Sequence, residues 1–437
     1  MRTPLLAGIT AAVMVSGCAA GGTTGTRADG VDLSAFVPSA GAEIPTVPVK
    51  FGMKPFPNST LYSIGLKNGY FKDVGIDIQP QPYGTAVTPD NVVSLLRNGS
   101  IDIATMYGPA AIQVLSQVPD LRMFGFSDTY EATYLLASPK SGITPASERI
   151  AAGQEPAAAI REAMQSVRGR EVAINSSGSQ RVFLNSVFTA GGMTFDDVQL
   201  NVTDDAKIVA LATGGKIDFA TPDGAGQNVQ LLENGWYPLV SVNDLARVAG
   251  NEAVVAASLG HEGPAALDGY LEKNPETAMR FLSVMFRIID DILGKPDASL
   301  AAQLPYLNER SGLNLQVAGL QKIYDVIDPV VPFEGQPKFW DEGSRDPKNY
   351  QVVYSEQVAA AKKGGILPDK AFELAQHFVG GKFYEVLMRL KADYDELVGQ
   401  AATLTGKPAE LAAQAAQQYQ WRNYLDAYRI LKTALAP

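Results

Sequence analysis

Short apolar runs alternate along the chain with longer segments in which apolar residues recur every three or four positions. The runs at 49–53 and 171–174 are each followed by a polar loop and then by a helical pattern, around 61–68 and 180–190. A short run bounded by turn residues predicts a strand, and a longer periodic segment predicts a helix. Strands that alternate with helices in this way predict parallel α/β sheets.

Part of the sequence is repeated. Residues 95–108 align without gaps with residues 211–224, and leucine, glycine, isoleucine, aspartate, alanine, threonine and a second glycine recur at the same offsets. In each copy a glycine, Gly99 or Gly215, is placed to end a helix in the left-handed conformation, and a short strand follows. Because each copy also has its own strand, loop and helix upstream, the repeat predicts two α/β lobes of related build.

The N-terminus has the pattern of an export signal. One positive charge, Arg2, precedes a largely apolar stretch at 4–15, and Cys18 follows as the only cysteine of the chain. About a dozen apolar residues are too few to span a bilayer comfortably and are typical of a secretory signal peptide. Residues 15–18, Val-Ser-Gly-Cys, resemble a bacterial lipobox, which implies cleavage before Cys18 and lipidation of its thiol. An ordinary signal peptide that contains a cysteine is the alternative.

Composition narrows the class of protein. A chain of 437 residues with 46% hydrophobic and 19% charged residues is expected to fold as more than one globular lobe. The formal net charge of −10 argues against a nucleic-acid partner. A single cysteine and two distant histidines, His261 and His377, argue against a disulfide, a metal site and a cofactor. His261 lies in a Leu-Gly-His-Glu-Gly stretch that is predicted to be a loop.

A ligand is expected at the carboxyl ends of the predicted strands, because open parallel sheets bind ligands at that edge. Four loops meet this condition, at 54–60, 105–109, 175–180 and 221–224. The candidate ligand-binding residues are Phe56, Asn58, Ser59, Thr60, Tyr107, Gly108, Thr133, Ser176, Ser177, Ser179 and Asp223, with Tyr130 and Tyr134 as further aromatic candidates.

The candidate residues favour different ligands. Ser176, Ser177 and Ser179 precede a helix, where hydroxyls and free backbone N–H groups suit an anion, and plain N-capping is the alternative. Asp223 suits an amine or a ring N–H donor, and a surface turn is its alternative. The aromatic side chains suit stacking on a flat ligand or packing in the core. The ligand class is therefore open among anions, zwitterions, amines and heteroaromatic rings.

Two aspartates of the repeat have a different expected role. Asp102 and Asp218 occupy the same position in the two copies. We expect both to serve the fold by bonding local backbone.

Four segments, in order along the chain, resemble one family. Residues 66–78 are similar to its A-x-x-x-G-Y-F-x-x-x-G-L-x-V signature, and residues 95–104 to its G-x-I-D segment. Residues 167–174 and 191–198 resemble two motifs of the family's second lobe. The chain is therefore similar, over roughly 49–294, to the NMT1/THI5-like solute-binding proteins, which are related to sulfonate, taurine, nitrate and thiamine-precursor receptors.

The resemblance implies a type II periplasmic-binding-protein fold, in which two α/β lobes with parallel-type sheets are joined by two crossovers around a ligand cleft. The chain is expected to leave lobe one near 132–138 and to return near 252–258. The expected divisions are a lipoprotein signal peptide at 1–17, a flexible tether at 18–47, the first part of lobe one at 48–135, lobe two at 136–250, and the return to lobe one with a C-terminal helical extension at 251–437.

The resemblance also implies a function. It is the high-affinity capture of a small organic solute and its delivery, by hinge closure, to an ABC permease and its ATPase. The protein would be a monomer, lipid-anchored through Cys18 in the periplasm or at the outer cell surface, and not an enzyme. A receptor for a membrane sensor is one alternative. An enzyme of the thiamine-pyrimidine synthase type is another, which the absence of a cysteine-rich segment disfavours.

Two segments depart from the family pattern. Residues 140–165 form a long insertion with a helical Ala/Glu-rich pattern, and a long tail extends from about 339 to the C-terminus. In the tail, six apolar and aromatic residues between 419 and 431 fall at helical spacing. They predict an amphipathic helix that packs on lobe one.

The expected role of Asp223 is testable. If its carboxylate binds a cationic or N–H-donating ligand, the Asp223→Ala substitution should weaken binding at least tenfold, or about 1.4 kcal/mol. Titration calorimetry with such a ligand measures the change. An unchanged affinity would remove Asp223 from the binding site.

Overall fold

The computed structural model describes residues 31–39, 41–175, 178–251, 254–255, 258–363, 367–368 and 373–436. Its strands are, in chain order, β1 Val47–Met53, β2 Ile76–Gln79, β3 Thr85–Ala86, β4 Ile103–Tyr107, β5 Leu121–Met123, β6 Asp128–Tyr130, β7 Tyr134–Ala137, β8 Glu171–Ile174, β9 Gln199–Val202, β10 Phe219–Thr221, β11 Tyr237–Ser241 and β12 Gly260–Leu267.

The α-helices fall between and after these strands. Those of the first lobe and of the second are α1 Pro57–Thr60, α2 Tyr62–Asn68, α3 Tyr70–Asp73, α4 Val92–Arg97, α5 Gly108–Val114, α6 Ala146–Ala151, α7 Pro156–Gln165, α8 Gly178–Ala190, α9 Asp205–Thr213, α10 Ala225–Glu233 and α11 Val242–Leu245. Those after the last strand are α12 Asp268–Lys273, α13 Pro275–Gly294, α14 Pro296–Ser311, α15 Val317–Lys322, α16 Pro337–Trp340, α17 Tyr350–Lys363, α18 Leu374–His377, α19 Gly380–Leu397, α20 Lys407–Gln420 and α21 Tyr424–Ala434. Short 3₁₀ or π turns lie at Pro139–Ser141, Phe195–Asp197, Ile323–Ile327, Phe333–Gly335 and Val398–Thr403.

The strands form two sheets, one in each lobe. The sheet of lobe one has the order β2-β1-β4-β12-β5, with β3 paired to β1 and β6 paired to β12. The sheet of lobe two has the order β11-β7-β10-β8-β9. The chain thus passes from lobe one to lobe two between β6 and β7, and returns between β11 and β12. The two-lobed α/β fold with two crossovers, predicted from the sequence, is confirmed.

The strands next to the crossovers are antiparallel to their neighbours. The repeat-derived pairs are parallel, since β1 pairs with β4 and β8 pairs with β10. By contrast β7 runs antiparallel to β10 and β11, and β12 runs antiparallel to β4, β5 and β6. The sequence pattern indicated only the parallel pairs, because antiparallel partners that are distant along the chain leave no local repeat.

The repeated segments end their helices as predicted. Gly99 has a φ of 71° and Gly215 a φ of 64°, in the left-handed region that favours glycine. Asp102 accepts a hydrogen bond from the backbone N–H of Lys50 at 2.9 Å, which fixes β4 beside β1. Asp102 therefore serves the fold through a backbone partner, as expected, but this partner lies on the neighbouring strand and is not local.

Asp218, the equivalent residue, binds side chains instead of backbone. One carboxylate oxygen accepts the Ser138 hydroxyl at 2.9 Å, and the other forms an ion pair with Arg170. The role of Asp218 in the fold is as expected, but its expected backbone partner is wrong. The reason is that β7, which follows the crossover, brings Ser138 alongside it.

The insertion at 140–165 contains the helices α6 and α7, as its Ala/Glu-rich pattern predicts. Ala146, Ile160, Ala163 and Met164 are buried on the sheet of lobe two, in a core that also holds Phe183. The insertion therefore enlarges lobe two.

Residues 31–39 do not behave as the flexible tether that was predicted for 18–47. Val31 and Leu33 are buried in the core of lobe one. The Lys382 side chain donates to the Val31 carbonyl at 2.8 Å, and the Arg429 side chain donates to the Ser39 carbonyl at 2.6 Å. Glycine-rich composition suggested a linker, but these buried apolar residues and carbonyl contacts hold the segment on the C-terminal helices.

The tail forms two helices between 407 and 434, so the prediction of one amphipathic helix is wrong. The helix α20 ends before Arg422, which has a φ of 62°, and α21 begins after Asn423. The Asn423 side chain caps α21 by accepting the backbone N–H of Asp426 at 3.3 Å. Capping competes with helix continuation, which is why the helical spacing is interrupted there. Tyr424 and Leu425 still pack in the core of lobe one, as expected.

A buried ion pair fastens α21 to α13. Arg280 and Asp426 are almost fully buried, and the Arg280 Nε and Nη2 atoms lie 2.7 and 2.9 Å from the two Asp426 oxygens. Arg429 also donates to Asp426, at 2.6 Å. These guanidinium groups hold the pKa of Asp426 below its ordinary value, in spite of burial. Among the helices of the described residues, none combines the length and apolar character needed to cross a membrane.

The Asp426→Asn substitution should lower the free energy of unfolding by about 3–5 kcal/mol, because the buried Arg280 keeps only the longer contact of 3.4 Å with the Glu276 carboxylate. The matched control is Asp395→Asn, which breaks the exposed Lys391–Asp395 pair of 2.8 Å and should cost less than about 1 kcal/mol. Chemical denaturation of both variants measures the difference. Equal losses would contradict the role given to the buried pair.

Candidate ligand-binding cleft

A cavity of about 1110 Å³ lies between the two lobes. Lobe one contributes Phe56, which follows β1, and Tyr107 and Tyr130, which are the last residues of β4 and β6. Lobe two contributes Asp205 and the loop 223–227, which follows β10. The residues at the ends of β1, β4 and β10 are at the carboxyl ends of parallel strands, where the sheet topology predicts a ligand, and Tyr130 ends the antiparallel strand β6.

The candidate residues fall into three groups. Phe56, Asn58, Tyr107 and Asp223 line the cavity, and so does Tyr130. Ser176 and Ser177 lie outside the described residues, as does Cys18, and the Ser179 side chain is also outside them. The remaining candidates, which are not among the lining residues, are Ser59, Thr60, Gly108, Thr133 and Tyr134.

The side chains of Ser59 and Thr60 point into the protein interior and not into the cavity. The helix α1 begins at Pro57, and both Ser59 and Thr60 on it are fully buried. Thr60 donates to the Phe56 carbonyl at 2.9 Å, and Ser59 donates to a carboxylate beneath the cavity.

Gly108 and Thr133 are occupied by packing. A Cβ atom on Gly108 would lie 2.0 Å from the Tyr354 hydroxyl, so this glycine provides a close approach to Tyr354. Thr133 donates to the Ser258 carbonyl at 3.3 Å, beside the return crossover. Tyr134 is buried on β7, which joins the sheet of lobe two.

The floor of the cavity contains a buried ion pair. The Lys54 ammonium lies 3.1 Å from both carboxylate oxygens of Glu262, and both side chains are buried. Glu262 also accepts the Ser59 hydroxyl at 2.7 Å. Lys54 and Glu262 border the cavity, so their charges compensate one another at its surface.

Two further carboxyl groups lie beside this pair without a cation. Asp128 and Asp328 are buried, and the Asn58 side-chain amide nitrogen lies 3.4 Å from one oxygen of each. Ser127 donates to the other oxygen of Asp128 at 2.6 Å. Within the described part of the chain, neither carboxyl forms an ion pair.

Burial determines the charge of these carboxyl groups. Desolvation raises the pKa of Asp128 to about 8, with a further rise caused by Glu262. Desolvation also raises the pKa of Asp328 well above its ordinary value, and the neighbouring Asp128 adds to the rise. Both groups therefore hold their protons near neutral pH, since an ionised carboxylate without a partner is costly to bury.

The sequence analysis did not identify Glu262 and Asp328 as residues of the site, because the residues around them do not indicate a binding site. Glu262 follows His261 in a glycine-containing stretch that was predicted to be a loop, yet this stretch is part of β12. A Cβ atom on Gly260 would lie 2.4 Å from the Tyr107 hydroxyl, and one on Gly263 would lie 2.0 Å from a backbone oxygen. These glycines permit close packing within a strand. For Asp328 a signal existed, since it is one acid within an apolar run at 326–331.

His261 is a core residue and not a loop base. It is fully buried on β12, with its ring centroid 4.5 Å from that of Phe126 and 4.7 Å from that of Phe339. Burial lowers its pKa to about 3, so it stays neutral. The predicted loop position of His261 is therefore wrong, and the histidine does not border the cavity.

The walls above the floor are aromatic and link the two lobes. The rings of Tyr107 and Tyr130 meet edge to face, with centroids 6.5 Å apart. The Tyr130 hydroxyl donates to the Asp223 carbonyl at 2.9 Å, across the cleft. The Asp223 carboxylate accepts the Gln180 side-chain amide at 3.0 Å. Asp205 organises this loop by accepting the backbone N–H of Asp223 at 3.1 Å.

The raised pKa values predict a pH-dependent stability. A carboxyl whose pKa is higher in the folded than in the unfolded protein stabilises the fold at low pH, and this contribution is lost as pH rises from about 4 to about 8. Asparagine cannot ionise. The unfolding free energy of Asp128→Asn, relative to the unsubstituted protein, should therefore increase across this window, by up to about 1.4 kcal/mol per pH unit.

Denaturation at several pH values measures this difference. The control is Asp120→Asn, the same substitution at an exposed position outside the cavity. A pH-independent difference for Asp128→Asn would contradict the account of the floor.

Three solved structures resemble this one at low identity. The periplasmic aliphatic sulphonate binding protein SsuA from Escherichia coli is 17% identical, with 76% of this chain and 91% of that chain covered and a TM-score of 0.49. A putative sulfonate-binding SsuA from Methylobacillus flagellatus KT is 14% identical, with 80% and 96% covered and a TM-score of 0.48. The desulfurization enzyme DSZB is 12% identical, with 78% and 99% covered and a TM-score of 0.48. These values are too low to carry an argument about function.

The sequence comparisons concern one part of the chain. No curated protein matches it. Residues 157–299 match the model of a family described as NMT1/THI5 like, and this segment extends from α7 through lobe two and the return crossover into α14. Over residues 157–299 the chain is thus NMT1/THI5-like, which confirms the family resemblance found in its sequence.

Proposed function

We propose that this protein captures a small organic solute in the cleft and delivers it to an ABC permease and its ATPase. The observation that carries the proposal is a cavity of about 1110 Å³ whose walls come from both lobes. The NMT1/THI5-like match over residues 157–299 supports it. A solute in such a cavity contacts both lobes at once.

Hinge closure is the mechanism that this arrangement favours. Two chain crossings join the lobes, at 131–133 and between β11 and β12. Each lobe has a buried core of its own, and a further core contains residues of both lobes, such as Ile323 and Val229. Because only two chain segments connect them, rigid lobes can rotate about short hinges. A solute that touches both lobes binds more tightly to the closed state, and this difference in affinity drives closure.

The cavity wall suits binding better than catalysis. Among the described residues that line it there is no histidine or cysteine. His377, like His261, lies elsewhere, where it contacts Arg122. The proposed role is therefore transport without chemical change of the solute.

The N-terminal motif supports anchoring of the mature protein through Cys18. A lipid-anchored monomer in the periplasm or at the outer cell surface would remain close to the permease. Because residues 31–39 lie against lobe one, the proposed tether would be limited to residues between Cys18 and Val31.

The proposal is tested by a thermal-shift screen of the purified protein, unfolded and refolded to remove any carried solute. The panel holds sulfonates, carboxylates, nitrate, amines and pyrimidines. A ligand at 100 times its dissociation constant should add about 2.7 kcal/mol to the stability. Small-angle X-ray scattering should then show a smaller radius of gyration with that ligand. Flat thermal shifts together with an unchanged radius would contradict the proposed function.

A matched pair of variants tests the cleft as the site of closure. Tyr130→Phe removes the hydroxyl that joins the lobes, and should reduce the ligand-induced compaction. Tyr134→Phe removes a hydroxyl from a residue outside the cavity lining and should leave compaction unchanged. Equal behaviour of the two variants would place closure elsewhere.

A further inference from the structure

Asp328 occupies an unusual position at the floor of the cleft. It follows the turn Ile323–Ile327, immediately before the residues that pair with β6, and it is 1% exposed. It nevertheless borders the cavity. One carboxyl oxygen lies 3.4 Å from the Asn58 amide nitrogen, a long hydrogen bond. No donor or cationic group of the described residues lies within hydrogen-bonding distance of the other oxygen, Oδ2.

We propose that the cleft takes an organic cation whose protonated amine binds Asp328 at the floor. This inference rests on the proposed solute-binding function and names the class of solute. A buried acid that faces a cavity with one oxygen unused can be satisfied by a donor from the ligand. An ammonium group supplies both the hydrogen bond and the opposite charge.

The ammonium group of the protein at the floor, that of Lys54, already forms an ion pair. Lys54 lies equally close to both oxygens of Glu262, at 3.1 Å, and pairs with that carboxylate. Asp128 is also without a cation, and it shares the Asn58 amide with Asp328. The floor thus holds three carboxyl groups and one cation, and a ligand cation would reduce this imbalance.

An anionic head group would find no free cation at the floor among the described residues. Arg97 and Arg310, which also line the cavity, are exposed at its rim. Arg310 lies 3.5 Å from Glu309, so its charge is partly compensated. An anion at the floor would therefore be placed beside carboxyl groups, without a free buried cation among the described residues. Desolvation makes that arrangement costly.

The aromatic wall suits the body of an organic cation. The Lys54 ammonium already lies 5.7 Å from the centre of the Phe56 ring, which shows that this wall accepts a cation. Tyr107 and Tyr130 present further ring surface next to the floor. Ring faces attract cations, most strongly where water is excluded.

Cation binding should release a proton. The pKa of Asp328 is raised by burial and by the acidic groups that face it, Asp128 on β6, Glu262 on β12 and Glu131 after β6. Lys54 and Lys348, the nearby cations, are paired with Glu262 and Glu131. The free protein therefore holds Asp328 protonated, and the ligand's charge favours its ionised form. Affinity should rise as pH increases above neutrality, until the amine itself loses its proton.

The experiment is titration calorimetry of the full-length protein with four compounds that share a six-carbon chain. These are hexylamine, 1,6-diaminohexane, hexan-1-ol and hexane-1-sulfonate. We expect saturable binding of at least one amine, at least tenfold tighter than that of the alcohol or the sulfonate. Titrations in buffers of different ionisation enthalpy should show proton release near pH 7.

Two variants locate the charge. Asp328→Asn keeps the shape of the protonated side chain, and should weaken amine binding at least tenfold and abolish the proton release. Asp120→Asn makes the same chemical change at an exposed position outside the cavity and should alter affinity less than twofold. If Asp328→Asn fails to fold, the proton release and the pH dependence of the unsubstituted protein still decide the question.

Failure of this inference can be told apart from failure of the proposed function. Binding of the sulfonate without binding of either amine would overturn the cation and leave solute capture standing. Amine binding with no proton release and no loss in Asp328→Asn would overturn Asp328 as the partner. Binding of none of the four overturns the organic cation, and solute capture is then judged by the wider thermal-shift panel.

Discussion

Two buried carboxyl groups without a cationic partner impose the main constraint on the cleft. An ion pair between Lys54 and Glu262 satisfies one acid. Among the side chains that the structure describes, the Asn58 amide lies between Asp128 and Asp328, and a serine hydroxyl donates to Asp128. In the free protein this is tolerable because burial raises both pKa values and keeps the groups protonated. Apolar residues in place of Asp128 and Asp328 would make the fold more stable. The two carboxyl groups instead leave the floor able to bind a cationic ligand, as proposed above.

The path of the chain explains how this floor is built. Lys54 follows β1, Asp128 lies on β6, Glu262 lies on β12, and Asp328 comes from the segment that pairs beside β6. The first two precede lobe two in sequence, and the last two follow it. The floor is therefore complete only after the chain has crossed to lobe two and returned. The same crossings that would serve as hinges in the proposed function also bring together the charged groups of the floor.

The C-terminal helices pack on lobe one and stabilise it. The long helix α13, after the return strand, carries Arg280, and the buried contact with Asp426 holds α21 against it. Residues 31–39 lie on the same helices, through the side chains of Lys382 and Arg429. The C-terminal tail that departs from the family pattern thus reinforces lobe one, and none of its described residues lines the cleft.

The local parts of this account could be predicted from the sequence. The repeat identified β4 and β10, and the strand ends located Phe56, Tyr107 and Asp223 on the cavity wall. These features depend on short-range pattern.

The long-range features could not be predicted in this way. Glu262 was hidden because β12 contains glycines that close packing requires, and those residues suggest a loop in isolation. Asp328 was hidden because its partners come from three distant segments. The burial of Ser59 and Thr60 could not be predicted either, because it follows from the start of α1 at Pro57, which turns their hydroxyls inward.

The central claim is that a solute cation is held between the lobes by Asp328. A crystal structure with the tightest-binding amine tests it most directly. We predict the amine nitrogen at hydrogen-bonding distance, about 3 Å, from the free oxygen of Asp328, with the rest of the ligand in contact with both lobes. A ligand that is bound outside the cleft, or that places an anionic group at the floor beside Lys54, would contradict the account.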